Sequence, residues 1–177
     1  LSEVVSTLLD ASLLSLLLSP IFYFIVFSPL VLNIAERKQA EEVVRTSEER
    51  FRSIFDHSKV GMNVIGPDYM YMKVNSAFCE MTGYSEKELL AHDFKGITHP
   101  EDIEPNLVLS KKLLAGEIDF FHLEKRYIRK DGKLLWGDLT VSAVRDESGK
   151  LTFGIAIIQD ITERKRIELE LQQAKAV

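Results

Sequence analysis

Residues 119–161 read DFFHLEKRYIRKDGKLLWGDLTVSAVRDESGKLTFGIAIIQDI, and this stretch decides the fold. Asp119 to Arg129 has strand character, the turn Lys130-Asp131-Gly132-Lys133 closes a hairpin, and Leu134 to Arg145 runs back. A second turn at Glu147-Ser148-Gly149 leads into Leu151 to Ile161, so three long antiparallel strands follow one another as a meander. The last strand, Phe153-Gly154-Ile155-Ala156-Ile157-Ile158, is apolar at every position, whereas a sheet solvated on one side alternates. Both of its faces are therefore expected to be covered, one by the domain's own helices and the other by a flanking amphipathic helix or a second subunit.

Upstream, Val60 to Ile65 and Tyr69 to Val74 are short β-type runs separated by Gly66-Pro67-Asp68, which is hairpin chemistry. Asn75 is placed to cap a short helix through Thr82 that Gly83 stops, and Ser85 with Glu88 forms the signature of a capping box. A longer helix is expected from about Asp102 to Ala115, stopped by Gly116. The order predicts an α+β domain: a five-stranded antiparallel sheet with helices to one side.

The chain has 177 residues, with 22 Lys and Arg, 27 Asp and Glu, 46% hydrophobic residues and one cysteine, enough for one ordinary domain with length to spare. Glu3 and Asp10 are the only charged residues before Glu36, so the charge is distributed as if for two solvents. Ala11 to Ala35 is long enough to cross a bilayer as a helix, bent at Pro20 and Pro29. Arg37, Lys38 and Arg45 follow it and no basic residue precedes it, which places the C-terminal side in the cytoplasm and the protein in the cell's cytoplasmic (inner) membrane. The remainder is net acidic and offers nucleic acid no basic footprint.

The expected organisation is an extracytoplasmic remnant over 1–10, a transmembrane helix over 11–35, an amphipathic linker helix over 36–50, the α+β domain over 51–162 and an exit helix over 163–177. Ala40, Val44, Ser47, Phe51 and Ile54 form one helical stripe, and Ile167, Leu171 and Ala174 another. Such stripes suit a homodimer paired through flanking helices; docking on the chain's own domain accounts for the first equally well. Ser47-Glu48-Glu49-Arg50 also reads as a fresh helix start. Beginning at Leu1 and ending within a helical pattern, the sequence reads as a piece of a longer protein.

Several motifs recur in fixed order: Phe51-Arg52-Ser53-Ile54-Phe55, Asn75-Ser76-Ala77-Phe78, Thr82-Gly83-Tyr84-Ser85, Thr98-His99-Pro100-Glu101-Asp102, Arg129-Lys130-Asp131-Gly132 and Asp160-Ile161-Thr162-Glu163-Arg164. Together they resemble the PAS, or S-box, sensory domain with its C-terminal PAC-type motif, over about 120 of the 177 residues. The resemblance implies a five-stranded antiparallel sheet whose helices enclose a small cavity. It also implies a sensing or relay role in histidine kinases, diguanylate cyclases or chemoreceptors; a two-component sensor histidine kinase is the leading expectation, with a membrane diguanylate cyclase or a ligand-free dimerisation spacer as the alternatives.

The cofactor, if any, is unknown. Flavin photoreceptors of the LOV type carry a reactive cysteine after the Gly-Tyr-Ser helix, and counting on from Gly83-Tyr84-Ser85 puts Phe94 in its place, against cysteine-linked flavin. A haem would lack its axial histidine on the helix from Asp102 to Ala115. His57, His92, His99 and His122 are scattered without metal spacing. Trp136 reads as sheet packing rather than cofactor stacking.

For a small-molecule ligand, Asn75, Phe78, Met81, Leu107, Leu114, Phe121 and Ile157 are the cavity candidates by element and face, though core packing explains them equally well. Asp160 and Thr162 sit where the last strand hands over to the exit helix, able to cap it and bond back to the sheet; the resemblance makes that junction a signal-coupling joint. No phosphate loop, zinc motif or nucleophile elbow is present, so this stretch is expected to be non-catalytic.

Overall fold

The computed structural model describes residues 28–175, which fall into two units divided between Arg52 and Ser53. In the first unit lies most of helix α1 (Ser28–His57). The expected transmembrane segment lies mostly outside the described residues, as does the stretch 1–10; among the described residues no helix is long and apolar enough to cross a membrane. The fresh helix start expected at Ser47 is corrected: α1 runs through it without interruption. No Pro or Gly breaks the stretch, and ion pairs one turn apart, Arg37 to Glu41 at 3.1 Å and Arg45 to Glu49 at 2.8 Å, support a continuous helix.

The second unit holds strands β1 (Gly61–Ile65) and β2 (Tyr71–Val74), helices α2 (Ser76–Thr82) and α3 (Glu86–Leu89), a 3-10 turn over Phe94–Ile97 and helix α4 (Pro100–Ala115). Strands β3 (Phe120–Ile128), β4 (Leu134–Arg145) and β5 (Leu151–Asp160) and helix α5 (Thr162–Lys175) complete it. The strands form one antiparallel sheet in the order β2-β1-β5-β4-β3. The expected hairpin, meander and three helices are all present. Helix α4 begins two residues earlier than expected, because His99 accepts the Glu101 amide as its cap and Pro100, whose missing N–H costs nothing there, opens the first turn.

The inner face of the sheet carries the core: Leu135, Leu139 and Val141 from β4, Phe121 and Tyr127 from β3, and Ala156 and Ile158 from β5. Gly137 lets the Tyr127 ring lie flat across β4, since a Cβ there would come within 2.5 Å of Tyr127 Cε2. Within the single chain only the inner face of β5 is fully covered. Gly154, Ala156 and Ile158 are buried, while Phe153 and Ile155 are half-covered and Ile157 remains 43% exposed. Alternation in burial thus persists beneath a sequence that does not alternate in hydrophobicity.

Asn75 fastens three elements together. Its Oδ1 accepts from the amides of Phe78 and Met62, both at 2.9 Å, and its Nδ2 donates to the carbonyls of Phe55 at 2.9 Å and Val60 at 3.0 Å. One side chain at 1% exposure thereby caps α2, starts β1 and closes the end of α1. Asn75→Ala is expected to cost about 3 kcal/mol by denaturant titration, because four partners lose a buried bond at once. Ser76→Ala, which removes one exposed bond to the Asp56 carbonyl, should stay within about 0.5 kcal/mol.

Candidate functional site

Between the inner face of the sheet and helix α4 lies a cavity whose room for the centres of water molecules is about 40 Å³. Its floor is Asn63 and Ile65 of β1, Gly154 and Ala156 of β5, Leu139 and Val141 of β4 and Phe121, Lys125 and Tyr127 of β3. Asn106, Ser110, Leu113 and Leu114 of α4 form one wall; Tyr69, Tyr71 and Phe94 form another. The volume holds more than one water.

Lys125 is the charged residue of this lining and is 1% exposed. Its Nζ donates to Asn106 Oδ1 at 2.7 Å and Thr98 Oγ1 at 3.0 Å, and lies 4.4 Å from the Tyr127 ring centroid and 5.2 Å from that of Phe94. Both acceptors are oriented for it: Asn106 Nδ2 donates to Ser110 Oγ, and the Thr98 hydroxyl donates to the Phe94 carbonyl. Burial pushes the amine down to about 7, with Asp102 opposing the shift. Asp102 is itself held below the usual carboxylate range by the Arg126 guanidinium. At the other end of the cavity Asn63 is 3% exposed, and its Oδ1 has no hydrogen-bond partner.

Among the cavity candidates, Leu114 and Phe121 line the space. Asn75, Phe78, Met81 and Leu107 do not; Phe78 and Asn75 are buried in the core beside α2, and Met81 and Leu107 pack partly buried against the core. Ile157 is corrected: it points to the opposite face of the sheet from Gly154 and Ala156, which line the cavity. Lys125, Asn63 and Asn106 were missed. A signal for Lys125 lies in β3 itself, where Phe121, Leu123 and Tyr127 mark the inward parity and Lys125 falls between them.

The expected coupling joint is built as follows. Asp160 Oδ1 accepts the amide of Thr162 at 2.8 Å, and Thr162 Oγ1 accepts the amide of Trp136 at 3.0 Å. The Ile161 amide donates to the Trp136 carbonyl, so β4 grips the start of α5 from both sides of one residue. Trp136 lies on the outer face, away from the cavity lining, with Lys165 Nζ 5.4 Å and Arg126 Cζ 5.5 Å from its ring centroid. Glu124 pairs with both Arg164 and Lys165. On the open edge of β3, the Arg126 amide donates to Asp102 Oδ2 at 2.7 Å, its guanidinium reaches Asp102 and Glu101, and its carbonyl accepts from His99. The first turn of α4 thereby caps an otherwise unpaired strand edge.

Comparison with known proteins bears on the family and the fold. The family profile described as PAS domain matches residues 59–163. The probable diguanylate cyclase DgcE of Escherichia coli (strain K12) is 40% identical over 78% of this chain and 12% of its own length. The sensor histidine kinase TmoS of Ectopseudomonas mendocina is 27% identical over 77% of this chain and 14% of its own. The chain thus spans about an eighth of the length of these two relatives. In the crystal structure of a PAS domain from Colwellia psychrerythraea the fold is the same, with a TM-score of 0.60 at 18% identity, covering 65% of this chain and 97% of that one.

The Lys125 amine gives stability a definite pH dependence. In the unfolded chain it titrates near its ordinary 10.5, and in the folded domain near 7, so between these values the unfolded state binds the extra proton. Stability of the wild type is expected to rise relative to Lys125→Met as pH increases from about 7 towards 10, and to run parallel to it below 7. Denaturant titrations of both proteins at several pH values measure this; parallel curves over the whole range would mean that the folded amine titrates like a solvated one.

Proposed function

Because the chain belongs to the PAS domain family, we propose that it is the sensory and relay module of a membrane-anchored receptor, coupling its cavity to an effector beyond the exit helix. The observation that carries this reading is the position of Arg126. On one side it clamps the first turn of α4, whose later turns wall the cavity; on the other it stacks against Trp136, on which α5 is seated. A shift of α4 on ligand entry would strain this clamp and tilt the start of α5, biasing two packings of the exit helix.

The apolar stretch from Ala11 to Ala35, followed at once by Arg37 and Lys38, supports anchoring in lipid with the sensory domain on the cytoplasmic side of the inner membrane. Exposed Ile167 and Leu171 on α5 support pairing of two chains through their flanking helices. Two effectors are in view. The 40% identity to a probable diguanylate cyclase favours a cyclase, while the kinase expected from the motif order draws support from the 27% relative. Assaying the full-length protein for cyclic dinucleotide synthesis from GTP and for autophosphorylation with ATP separates the two.

Asp160→Ala, which removes the cap on Thr162, should cost about 1 kcal/mol of stability and change basal effector output several-fold in the full-length protein. Arg126→Gln should change output in the same assay while the cavity-side Lys125 contacts persist. Output unchanged in both variants would remove this joint from the mechanism.

A further inference from the structure

The cavity is built around an uncompensated cation. Among the described residues its lining contains Lys125, Asn63, Asn106 and Ser110, the tyrosines Tyr69, Tyr71 and Tyr127, and no carboxylate. The nearest acid able to act on the amine, Asp102, is already occupied by three bonds from Arg126. An ammonium has three N–H donors, and Lys125 spends two, on Asn106 and Thr98. A buried charge left in this state is costly, and so is a buried acceptor without a donor, which is the condition of Asn63 Oδ1.

These two groups stand at opposite ends of the space. Lys125 is on β3 and Asn63 on β1, β4 and β5 lie between them, and the pairing registers put Asn63 level with Phe121, four residues along β3 from Lys125, so their backbones stand about 19 Å apart on the diagonal at the usual strand spacing and rise. The side chains that cross the middle, Leu139, Val141 and Ala156, are apolar. The complementary molecule therefore has an anion at one end, a hydrogen-bond donor at the other and a hydrocarbon stem. Resting on the sensory reading above, we propose that the cavity takes a slender organic acid, whose carboxylate accepts the third N–H of Lys125 and whose distal hydroxyl or amino group donates to Asn63 Oδ1.

The test uses the full 177-residue chain in lipid nanodiscs at pH 6.5, with the methyl resonances of Leu139 and Val141 as the readout. The probes are 6-hydroxyhexanoate, hexanoate and 6-hydroxyhexanamide. The hydroxy acid should bind at least tenfold more tightly than the amide and several-fold more tightly than hexanoate. Lys125→Met should remove the preference for acid over amide, and Asn63→Leu should remove the advantage of the hydroxyl. Equal binding of acid and amide by the wild type would overturn the proposed ligand class while leaving a ligand-sensing cavity in place. If none of the three moves the cavity methyls, both the class and the sensing role of the cavity fall. The three wild-type affinities decide the matter even if a variant fails to fold.

Discussion

The interaction on which the rest of the domain turns is the burial of one lysine under the sheet. Lys125 cannot sit where it does unless Asn106 on α4 and Thr98 before it supply acceptors, so the position of the long helix over the sheet is tied to the solvation of a single amine. Both acceptors are in turn held by their own bonds, to Ser110 and to the Phe94 carbonyl, which fixes which atom of each faces the amine. The arrangement replaces water with preorganised dipoles and two aromatic faces. It does not replace water with a counter-charge, and that is the source of the lowered affinity of Lys125 for its proton.

Strand parity converts this local constraint into a connection across the sheet. Lys125 faces the cavity and its neighbour Arg126 faces away, yet both contact the same helix or its lead-in: the lysine through Asn106, the arginine through Asp102. Helix α4 is thus held by two successive residues of an edge strand, one from beneath and one around the rim. Arg126 then meets Trp136, whose backbone amide and carbonyl hold Thr162 and Ile161. Every contact from cavity to exit helix lies within the second unit, so the proposed coupling would need no rearrangement of the sheet itself.

Elements with their own chemical punctuation were readable from the chain. Asn75, Gly83, Ser85 with Glu88, and Gly116 each occupy the cap or stop position that their residue types suggest. The phase of β5 was not readable, because a run apolar at every position carries no parity; it is set by Gly154 and Ala156, small enough to lie over the cavity, and Ile157 is thereby turned outward. Asn75 was read correctly as a cap and wrongly as a cavity residue, because capping and strand closure consume all of its hydrogen-bonding capacity. Lys125 escaped because charged residues in strands are assigned to solvent, and only the apolar residues on either side of it at a spacing of two betray the face.

The polar equipment of the cavity also bears on whether the domain senses or merely spaces. A spacer gains from a filled, dry core, and a methionine in place of Lys125 would pack the same volume with no ammonium to desolvate. Asn63 presents the same contrast, since an apolar residue of similar size would leave no orphaned acceptor. Neither residue is needed to close the sheet, because β1 and β3 are paired along their length by backbone bonds that any side chain would permit. Two buried polar groups, set at opposite ends of one small space and each with capacity left over, are a cost that a scaffold has no reason to carry. The proposed receptor role supplies a reason, because a molecule that completed both bonds would be bound by them.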